Sequence, residues 1–292
     1  MPCKIAIASG KGGTGKTTVA VYLFHFIKKY WSDSVLLVDC DVEEPDDLVF
    51  FPGARRLEQK IVNQLIPEIQ ADLCTYCRKC VEYCAFNALV VIPSVKFAEI
   101  NKDLCHSCGA CIAVCPSKAI LEHPEAIGEI NNFRTVSGNN ITEGKLKIGS
   151  TMHTMLIREL VREPDEKHEI VLFDAPPGTS CSVVATVHDA DYVVLVSEPT
   201  PFGLHDLKIT IDMLREMGKS MGVVINKSGL GDTKIFNYLD EEYIDILGQI
   251  PFSRGFASKY ASGELLEDIP VEIENVFRDI ILGMKKQIEE YV

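Results

Sequence analysis

The sequence predicts an α/β fold in which a doubly wound, mostly parallel sheet is interrupted by a small inserted α+β domain. Three observations lead to this prediction. Short apolar runs alternate with amphipathic segments, a glycine-rich loop follows the first run, and eight cysteines are concentrated between Cys74 and Cys115. With 292 residues, of which 47% are hydrophobic and 24% charged, the chain can bury one α/β core and a small satellite domain.

The first predicted elements surround a phosphate-binding motif. A buried strand at 4–9 leads into GKGGTGKT at 10–17, which fits G-x-x-x-x-G-K-[ST], and a helix is predicted over 16–30. Glycines let successive backbone N–H groups face phosphates, and the positive end of the helix favours an anion. We expect Lys16 to reach the β- and γ-phosphates of ATP and Thr17 to ligate Mg²⁺. The residues expected to contact the nucleotide here are Gly10, Lys11, Gly12, Gly13, Thr14, Gly15, Lys16, Thr17 and Thr18.

Acidic residues follow two further predicted strands. The strand at 34–39 ends in Asp39, with Asp41 just beyond it, and the strand at 169–174 ends in Asp174. Because parallel α/β sheets bind ligands at the carboxyl ends of their strands, these acids should lie near the glycine-rich loop.

The remaining chain continues the alternation of strands and helices. The other predicted strands are 192–197, 221–226 and 245–250, and the other predicted helices are 151–163, 181–188, 203–217, 232–241 and 271–290. Two weakly patterned flanks, 50–70 and 122–150, enter and leave the cysteine-rich insert and receive no element.

The cysteines form two tandem C-x2-C-x2-C-x3-C runs, the second followed by proline. The runs are Cys74, Cys77, Cys80 and Cys84, and then Cys105, Cys108, Cys111 and Cys115. Bacterial ferredoxins hold two [4Fe–4S] clusters by this spacing, with the distant fourth thiolate of each run crossing to the other cluster. Zinc prefers two separated pairs of cysteines, and an intracellular chain would not keep disulfides.

Residues 72–121 therefore resemble a complete bacterial-type ferredoxin domain. The resemblance implies two ligand sets: Cys74, Cys77, Cys80 and Cys115 for one cluster, and Cys105, Cys108, Cys111 and Cys84 for the second. The insert is predicted at 59–125, between a first ATPase segment at 1–58 and a second at 126–292.

The segment KGGTGKT resembles the deviant Walker A motif of the MinD, Mrp and nitrogenase-iron-protein class (SIMIBI class) of P-loop ATPases. This resemblance implies slow ATP hydrolysis stimulated by a dimer or a partner, because Lys11 would reach across a homodimer to the other subunit's nucleotide. The implied catalytic residues are Lys11, Lys16 and Asp41, where Asp41 would orient the attacking water.

The same resemblance assigns the metal and base contacts. Asp174 and Asp39 would hold Mg²⁺ directly or through water, beside Thr17. Asn226, at the end of a predicted strand, would read the adenine edge, with Pro251 lining the same pocket.

The expected function is nucleotide-coupled electron transfer through two [4Fe–4S] clusters, with ATP or ADP, Mg²⁺ and both clusters as cofactors. One alternative is an Mrp-like carrier or scaffold that delivers clusters to apo iron–sulfur targets. Another is a regulatory or positioning switch that senses redox state. In the first case the partner would be a redox protein acting as electron donor or acceptor.

Net charge and hydrophobic patterning argue against two classes of protein, those that bind nucleic acid nonspecifically and those that span a membrane. A net charge of −13 argues against nonspecific nucleic-acid binding, and no apolar stretch approaches the ~20 residues that span a bilayer. No signal peptide is recognised, so the protein is expected to be cytoplasmic and without stable membrane insertion. Of the other cysteines, Cys181 would be placed to hold a bridging cluster if two subunits met there, whereas a lone thiol is the simpler interpretation.

Overall fold

The computed structural model describes residues 2–162 and 167–291. The chain divides into two compact units. The first comprises Met1–Lys60, Ile130–Lys145 and His153–Val292, and the second comprises Ile61–Glu129 and Leu146–Met152.

The first unit is built on a mostly parallel sheet. In chain order the strands of the described residues are β1 Cys3–Ala8, β2 Val35–Asp39, β3 Arg55–Ile69, β4 Leu89–Ile92, β5 Phe97–Ile100, β6 Ile120–Arg134, β7 Asn140–Leu146, β8 Ile170–Asp174, β9 Tyr192–Ser197, β10 Met221–Ser228 and β11 Ile246–Pro251. The large sheet has the order β11-β10-β9-β1-β8-β2-β7-β6-β3. Strands β2, β8 and β9 are buried along their whole length, as expected for parallel strands covered on both faces.

The register of the central strands gathers the expected site residues. Ile7 of β1 pairs with Asp174 of β8, and Asp174 pairs in turn with Asp39 of β2. The carboxyl ends of these three strands therefore lie side by side, and the glycine-rich loop leaves the sheet at the same edge.

Helices surround this sheet. They are α1 Lys16–Tyr30, α2 Lys79–Glu82, α3 Ala110–Ala113, α4 His153–Arg162, α5 Cys181–Val187, α6 Pro201–Glu216, α7 Lys234–Glu241, α8 Arg254–Ser262 and α9 Val271–Tyr291. Helix α1 packs on α9 through aromatic side chains: the Tyr22 ring lies 4.9 Å from Phe277, and the Phe26 ring lies 6.0 Å from it. This packing fixes α1, and with it the start of α1 at Lys16. None of the described helices is long and apolar enough to cross a membrane.

The predicted α/β architecture with a mostly parallel sheet is confirmed, but the flanks given no element are strands. The segment predicted as unpatterned at 50–70 contains β3, and 122–150 contains most of β6 and all of β7. Helix α8 was also missed. Boundaries between the two compact units fall inside β3, β6 and β7, so these strands contribute residues to both, and a last boundary lies just before α4.

The second unit has a small interior. Strand β4 pairs with β5 in an antiparallel hairpin, and the buried residues Leu89, Cys111 and Ile120 form its apolar cluster. Partly buried cysteines pack against this cluster. A core of this size is typical of domains that depend on a metal or other cross-link for stability.

Candidate nucleotide site and cysteine hollows

The glycine-rich loop joins β1 to α1 and requires glycine at Gly15. The backbone of Gly15 has φ of +90°, and a Cβ atom there would lie 2.1 Å from Nδ2 of Asn226. Asn226 in turn donates from Nδ2 to the carbonyl oxygen of Thr14 at 2.7 Å. The loop is thus held against the end of β10 by a contact that leaves no room for a side chain at Gly15.

Lys16 and Thr17 converge on one buried carboxylate. Nζ of Lys16 lies 2.6 Å from Oδ1 of Asp174, and the Thr17 hydroxyl donates to Oδ2 of Asp174 at 3.0 Å. Burial acts to lower the pKa of Lys16, but attraction to Asp174 outweighs it and raises this pKa to about 12. The lysine predicted to bind phosphate therefore carries its positive charge, and the hydroxyl predicted to bind Mg²⁺ lies on the same carboxylate.

Asp39 organises the loop that follows β2. Its Oδ1 accepts from the backbone N–H of Asp41 at 3.0 Å, and its Oδ2 accepts from the N–H groups of Asp46 and Asp47 at 2.9 and 3.1 Å. Burial, reinforced by repulsion from Asp174, raises the pKa of Asp39 well above its ordinary value.

Asp41, the residue predicted to orient water, is half-buried next to this carboxylate cluster. Burial raises its pKa to about 6, against an opposing attraction from Lys16. Asp41 therefore changes protonation state in a range where solution experiments can follow it.

Lys11 makes an ion pair within its own chain. Its Nζ lies 2.6 Å from Oε1 of Glu198, while Nζ of Lys227 lies 2.9 Å from Oε2 of the same residue. Lys227 also donates to the carbonyl oxygen of Gly13 at 2.8 Å. Glu198 and Lys227 were missed from the sequence, although Glu198 follows β9 just as Asp39 and Asp174 end their strands.

Asn226 and Pro251 occupy neighbouring strand ends. Oδ1 of Asn226 accepts from the backbone N–H of Lys227 at 2.8 Å, so both polar ends of this amide contact backbone. Pro251, at the exposed end of β11, pairs in register with Ser228. The structure therefore gives Asn226 a loop-holding contact, and the reading of adenine by Asn226 and Pro251 stays a prediction.

The residues of this site fit a magnesium nucleotide. The Thr14 hydroxyl is buried without a hydrogen-bond partner among the described residues, as expected if a ligand oxygen normally contacts it. Hydroxyl and carboxylate oxygens of Thr17, Asp174 and Asp39 are the donors that Mg²⁺ prefers.

Two further acids, Asp46 and Asp47, were not singled out from the sequence. Asp47 is fully buried, and neither of its carboxylate oxygens has a hydrogen-bond partner among the described residues. One carboxylate oxygen from each of Asp39, Asp46 and Asp47 lies within 4.8 Å of the others. No sequence signal distinguished these acids from surface charges of a loop.

In the second unit, the cysteines line two separate hollows. Each hollow contains three cysteines of one run and the last cysteine of the other. One is lined by Cys74, Cys77, Cys80 and Cys115, and the other by Cys84, Cys105, Cys108 and Cys111. All eight thiols are free of disulfides. The grouping is the crossed arrangement expected from the spacing.

The two hollows repeat each other at an interval of 31 residues. Backbone N–H groups point to sulfur at matching places: Tyr76 to Cys74 and Ser107 to Cys105, both at 3.4 Å. The corresponding pairs at the far cysteines are Ala88 to Cys84 at 3.4 Å and Ala119 to Cys115 at 3.3 Å. Such donors stabilise the negative charge of a thiolate or of a cluster bound to it.

Left-handed backbone conformations recur at the same interval. Tyr76 has φ of +55° and Ser107 has φ of +52°, while Asn87 and Lys118 have φ of +53° and +51°. Non-glycine residues adopt this conformation at a cost in free energy. Its repetition at equivalent positions therefore indicates that both hollows need the same tight turns. Four convergent sulfurs with N–H donors and a largely apolar wall fit a [4Fe–4S] cluster in each hollow.

The remaining cysteines lie in the first unit. Cys40 is buried, Cys3 is partly buried, and Cys181 is exposed at the start of α5. Burial raises the pKa of Cys3 to about 11, with repulsion from Asp191 adding to it, so that thiol stays protonated. The bridging role of Cys181 stays a prediction.

Known proteins resemble the chain over nearly its whole length. The family model for the CobQ/CobB/MinD/ParA nucleotide binding domain matches residues 5–266. An uncharacterized protein of Methanocaldococcus jannaschii is 32% identical over 286 residues, which cover 96% of this chain and 98% of that protein.

Solved structures share the fold at low sequence identity. The cell division ATPase MinD of Pyrococcus furiosus matches with a TM-score of 0.58 and 17% identity, covering 98% of this chain and 100% of that one. The septum site-determining protein MinD of Pyrococcus horikoshii, solved with Mg-ADP, has a TM-score of 0.55 and 18% identity, covering 98% of this chain and 97% of that one. The fold is therefore that of an α/β P-loop NTPase.

Proposed function

We propose, because this chain belongs to the CobQ/CobB/MinD/ParA nucleotide-binding family, that it is an ATPase whose nucleotide state controls electron transfer through two [4Fe–4S] clusters. One observation carries the proposal: a chain with a complete phosphate-binding loop also has two hollows, each lined by four free cysteines drawn from both runs. Nucleotide binding alone does not require hollows lined by four cysteines, so these hollows favour a second, cluster-based activity.

In the nucleotide half, Lys16 would exchange its contact with Asp174 for the β- and γ-phosphates. Thr17 and Asp174 would then hold Mg²⁺, which supplies a positive charge that offsets the phosphate oxygens. Asp41 would accept a hydrogen bond from the attacking water and align it with the γ-phosphate. Lys11 would leave Glu198 and place its charge on the nucleotide of a second subunit.

In the cluster half, the eight cysteines would bind two clusters as resident cofactors, because each iron then has a protein thiolate. When bound, the clusters supply one-electron redox chemistry. The N–H groups of Ser107 and Ala119 are among those that would stabilise the added negative charge of a reduced cluster.

The two halves are linked through the chain itself. The loop that holds Asp41 is fastened to Asp39, and it leads into β3, whose residues belong to both compact units. A nucleotide can shift a conformational equilibrium only if it binds one state more tightly. Contacts between this loop and the γ-phosphate of bound ATP would provide such a difference.

A second candidate function is delivery of clusters to apo iron–sulfur targets. Cys77 and Cys108 are the middle cysteines of the two triplets, and both are exposed. An exposed ligand can be replaced by the thiolate of a recipient protein, which favours this alternative over the regulatory switch.

Anaerobic purification followed by iron analysis and an ATPase assay tests the proposal. We expect about eight irons per chain, as two [4Fe–4S] clusters require, and Mg²⁺-dependent hydrolysis that Lys16→Ala abolishes without loss of iron. Permanent clusters that change redox state without leaving favour electron transfer, whereas transfer of iron to an apo-ferredoxin favours the carrier. A protein that takes up no iron, even when it is reconstituted anaerobically with iron and sulfide, would contradict both.

A further inference from the structure

We propose that Asp39, Asp46 and Asp47 form a binding site for a divalent cation that is occupied before nucleotide arrives. This proposal rests on the proposed function, because Asp39 also belongs to the expected nucleotide site. The site shares Asp39 with the expected Mg²⁺ site and differs from it in the other ligands, which are Asp46 and Asp47 here and Thr17 and Asp174 there.

The three carboxylates lie close together, and that of Asp47 has no hydrogen-bond partner among the described residues. An oxygen atom from each residue lies within 4.8 Å of the others. Asp39 is engaged by three backbone N–H groups, and Asp46 accepts from the Tyr260 hydroxyl at 3.3 Å. Asp47 is 0% exposed, and among the described residues nothing donates to either of its oxygens.

The charge balance points to a missing cation. Among the described residues, Lys16 is the one buried lysine or arginine, and its Nζ already contacts Asp174. Three buried carboxylates, those of Asp39, Asp47 and Asp174, therefore share one positive charge. A carboxylate enclosed without compensation is costly, so Asp47 must either keep a proton or bind a cation.

The donor set selects the kind of cation. All three ligands are carboxylate oxygens, which suit hard divalent ions such as Mg²⁺ and Mn²⁺ rather than the softer metals that thiolates bind. Backbone carbonyls or water would complete the coordination. Because the N–H groups of Asp46 and Asp47 are already bonded to Asp39, the ion would close the loop between residues 39 and 47 into a fixed shape.

Mn²⁺ binding to the anaerobic, nucleotide-free protein tests this site, with free Mn²⁺ measured by its electron paramagnetic resonance signal. The wild type should bind about one Mn²⁺ per chain at this all-oxygen site. Asp47→Asn keeps the shape of the side chain but removes its charge, and we expect at least about a tenfold loss of affinity, or ~1.4 kcal/mol. Asp46→Asn should weaken binding in the same direction.

Two control variants separate this site from its alternatives. Glu44→Gln removes a charge from an exposed position of the same loop and should leave Mn²⁺ binding unchanged. Thr17→Ala removes the expected nucleotide-linked Mg²⁺ ligand and should also leave it unchanged. If Thr17→Ala abolishes binding, or if Mn²⁺ binds only with ATP, the ion belongs to the nucleotide site and the proposal is wrong.

Thermal unfolding gives a second measurement that does not depend on the Mn²⁺ signal. Mg²⁺ without nucleotide should raise the unfolding temperature of the wild type but not of Asp47→Asn. In metal-free buffer Asp47→Asn should be at least as stable as the wild type, because the neutral amide needs neither a proton nor a cation to stay buried. Equal responses to Mg²⁺ would overturn the site. Iron content and ATP binding, measured on the same samples, report separately on the proposed function.

Discussion

At the phosphate-binding loop, one glycine and one amide fit each other closely. The missing side chain of Gly15 leaves room for Nδ2 of Asn226, which holds the carbonyl of Thr14. The sequence motif predicts glycine at this position because the backbone must turn around phosphate. The structure adds that the neighbouring strand end enforces it.

Gly15→Ala should therefore weaken ATP binding and lower the free energy of unfolding by about 1–3 kcal/mol, because the Cβ would force the strained backbone and Asn226 apart. Gly138→Ala is the matched control, since Gly138 lies outside this loop and has a similar φ of +86°, but a Cβ there meets nothing within 4 Å. Calorimetric titration with MgATP and chemical denaturation of both variants measure the two effects. Equal behaviour of the variants would contradict this account of the loop.

The raised pKa of Asp41 predicts how the stability of the protein depends on pH. Its carboxyl has a pKa of about 6 in the folded protein, raised by burial from an ordinary value of 3.8. Between these values the folded state holds the proton more tightly than the unfolded state, so stability falls as pH rises from about 4 to about 6 and then levels off.

Comparison with Asp41→Asn isolates this contribution. In metal- and nucleotide-free buffer, the wild type should lose up to about 2 kcal/mol relative to the variant over that interval, allowing for partial exposure of the carboxyl. Urea denaturation at pH 4.5 and pH 7 measures the difference. A constant difference between the two proteins would show that burial does not perturb Asp41.

Residue patterns predicted much of the site but not all of it. Lys16, Thr17, Asp39 and Asp174 were identifiable because a motif or a strand end marked each of them. Asp47 was not, since its carboxyl is buried by the folding of a loop that has no repeat or motif.

At the scale of elements, the strands that flank the insert were the part that sequence patterning missed. The first seven residues of β3 are exposed and read RRLEQKI, which lacks the apolar alternation of a half-buried strand. Strand β6 contains Pro124 and Gly128, residues that usually argue against a strand. Both lie toward the edge of the large sheet, where charge and interruptions are tolerated.

The spacing of the cysteine runs, by contrast, predicts the grouping of side chains that the structure has, with the last cysteine of each run beside the first three of the other. If Cys84 crosses to the hollow of Cys105, Cys108 and Cys111, then Cys84→Ser should remove one cluster and about half of the iron. Cys3→Ser is the matched control, because that thiol lies outside the second unit and no cluster role is expected of it. Iron analysis and the absorbance of anaerobic samples report the result; full iron in Cys84→Ser would refute the assignment.

At the scale of the whole molecule, the contact that Lys11 makes is expected to differ between a single chain and the proposed dimer. In the single chain its ammonium group is paired with Glu198, and its side chain is 30% exposed. A role in a second subunit requires that pair to open, so MgATP must supply the difference in binding that drives assembly.

Lys11→Ala should therefore prevent MgATP-dependent dimerisation and lower the hydrolysis rate at least tenfold, while binding of ATP to the monomer is retained. Lys234→Ala, at a side chain that is 73% exposed, serves as a control for loss of a surface charge. Light scattering with an ATP analogue gives the oligomeric state. A Lys11→Ala protein that still dimerises would argue against the role in trans.

The coupling between nucleotide and clusters is tested most directly by the midpoint potentials of the clusters, measured anaerobically with and without a non-hydrolysable MgATP analogue. We predict that the analogue shifts at least one potential in the wild type and shifts neither in Lys16→Ala, whose clusters stay intact. Identical potentials in the loaded and nucleotide-free wild type would contradict the proposed coupling.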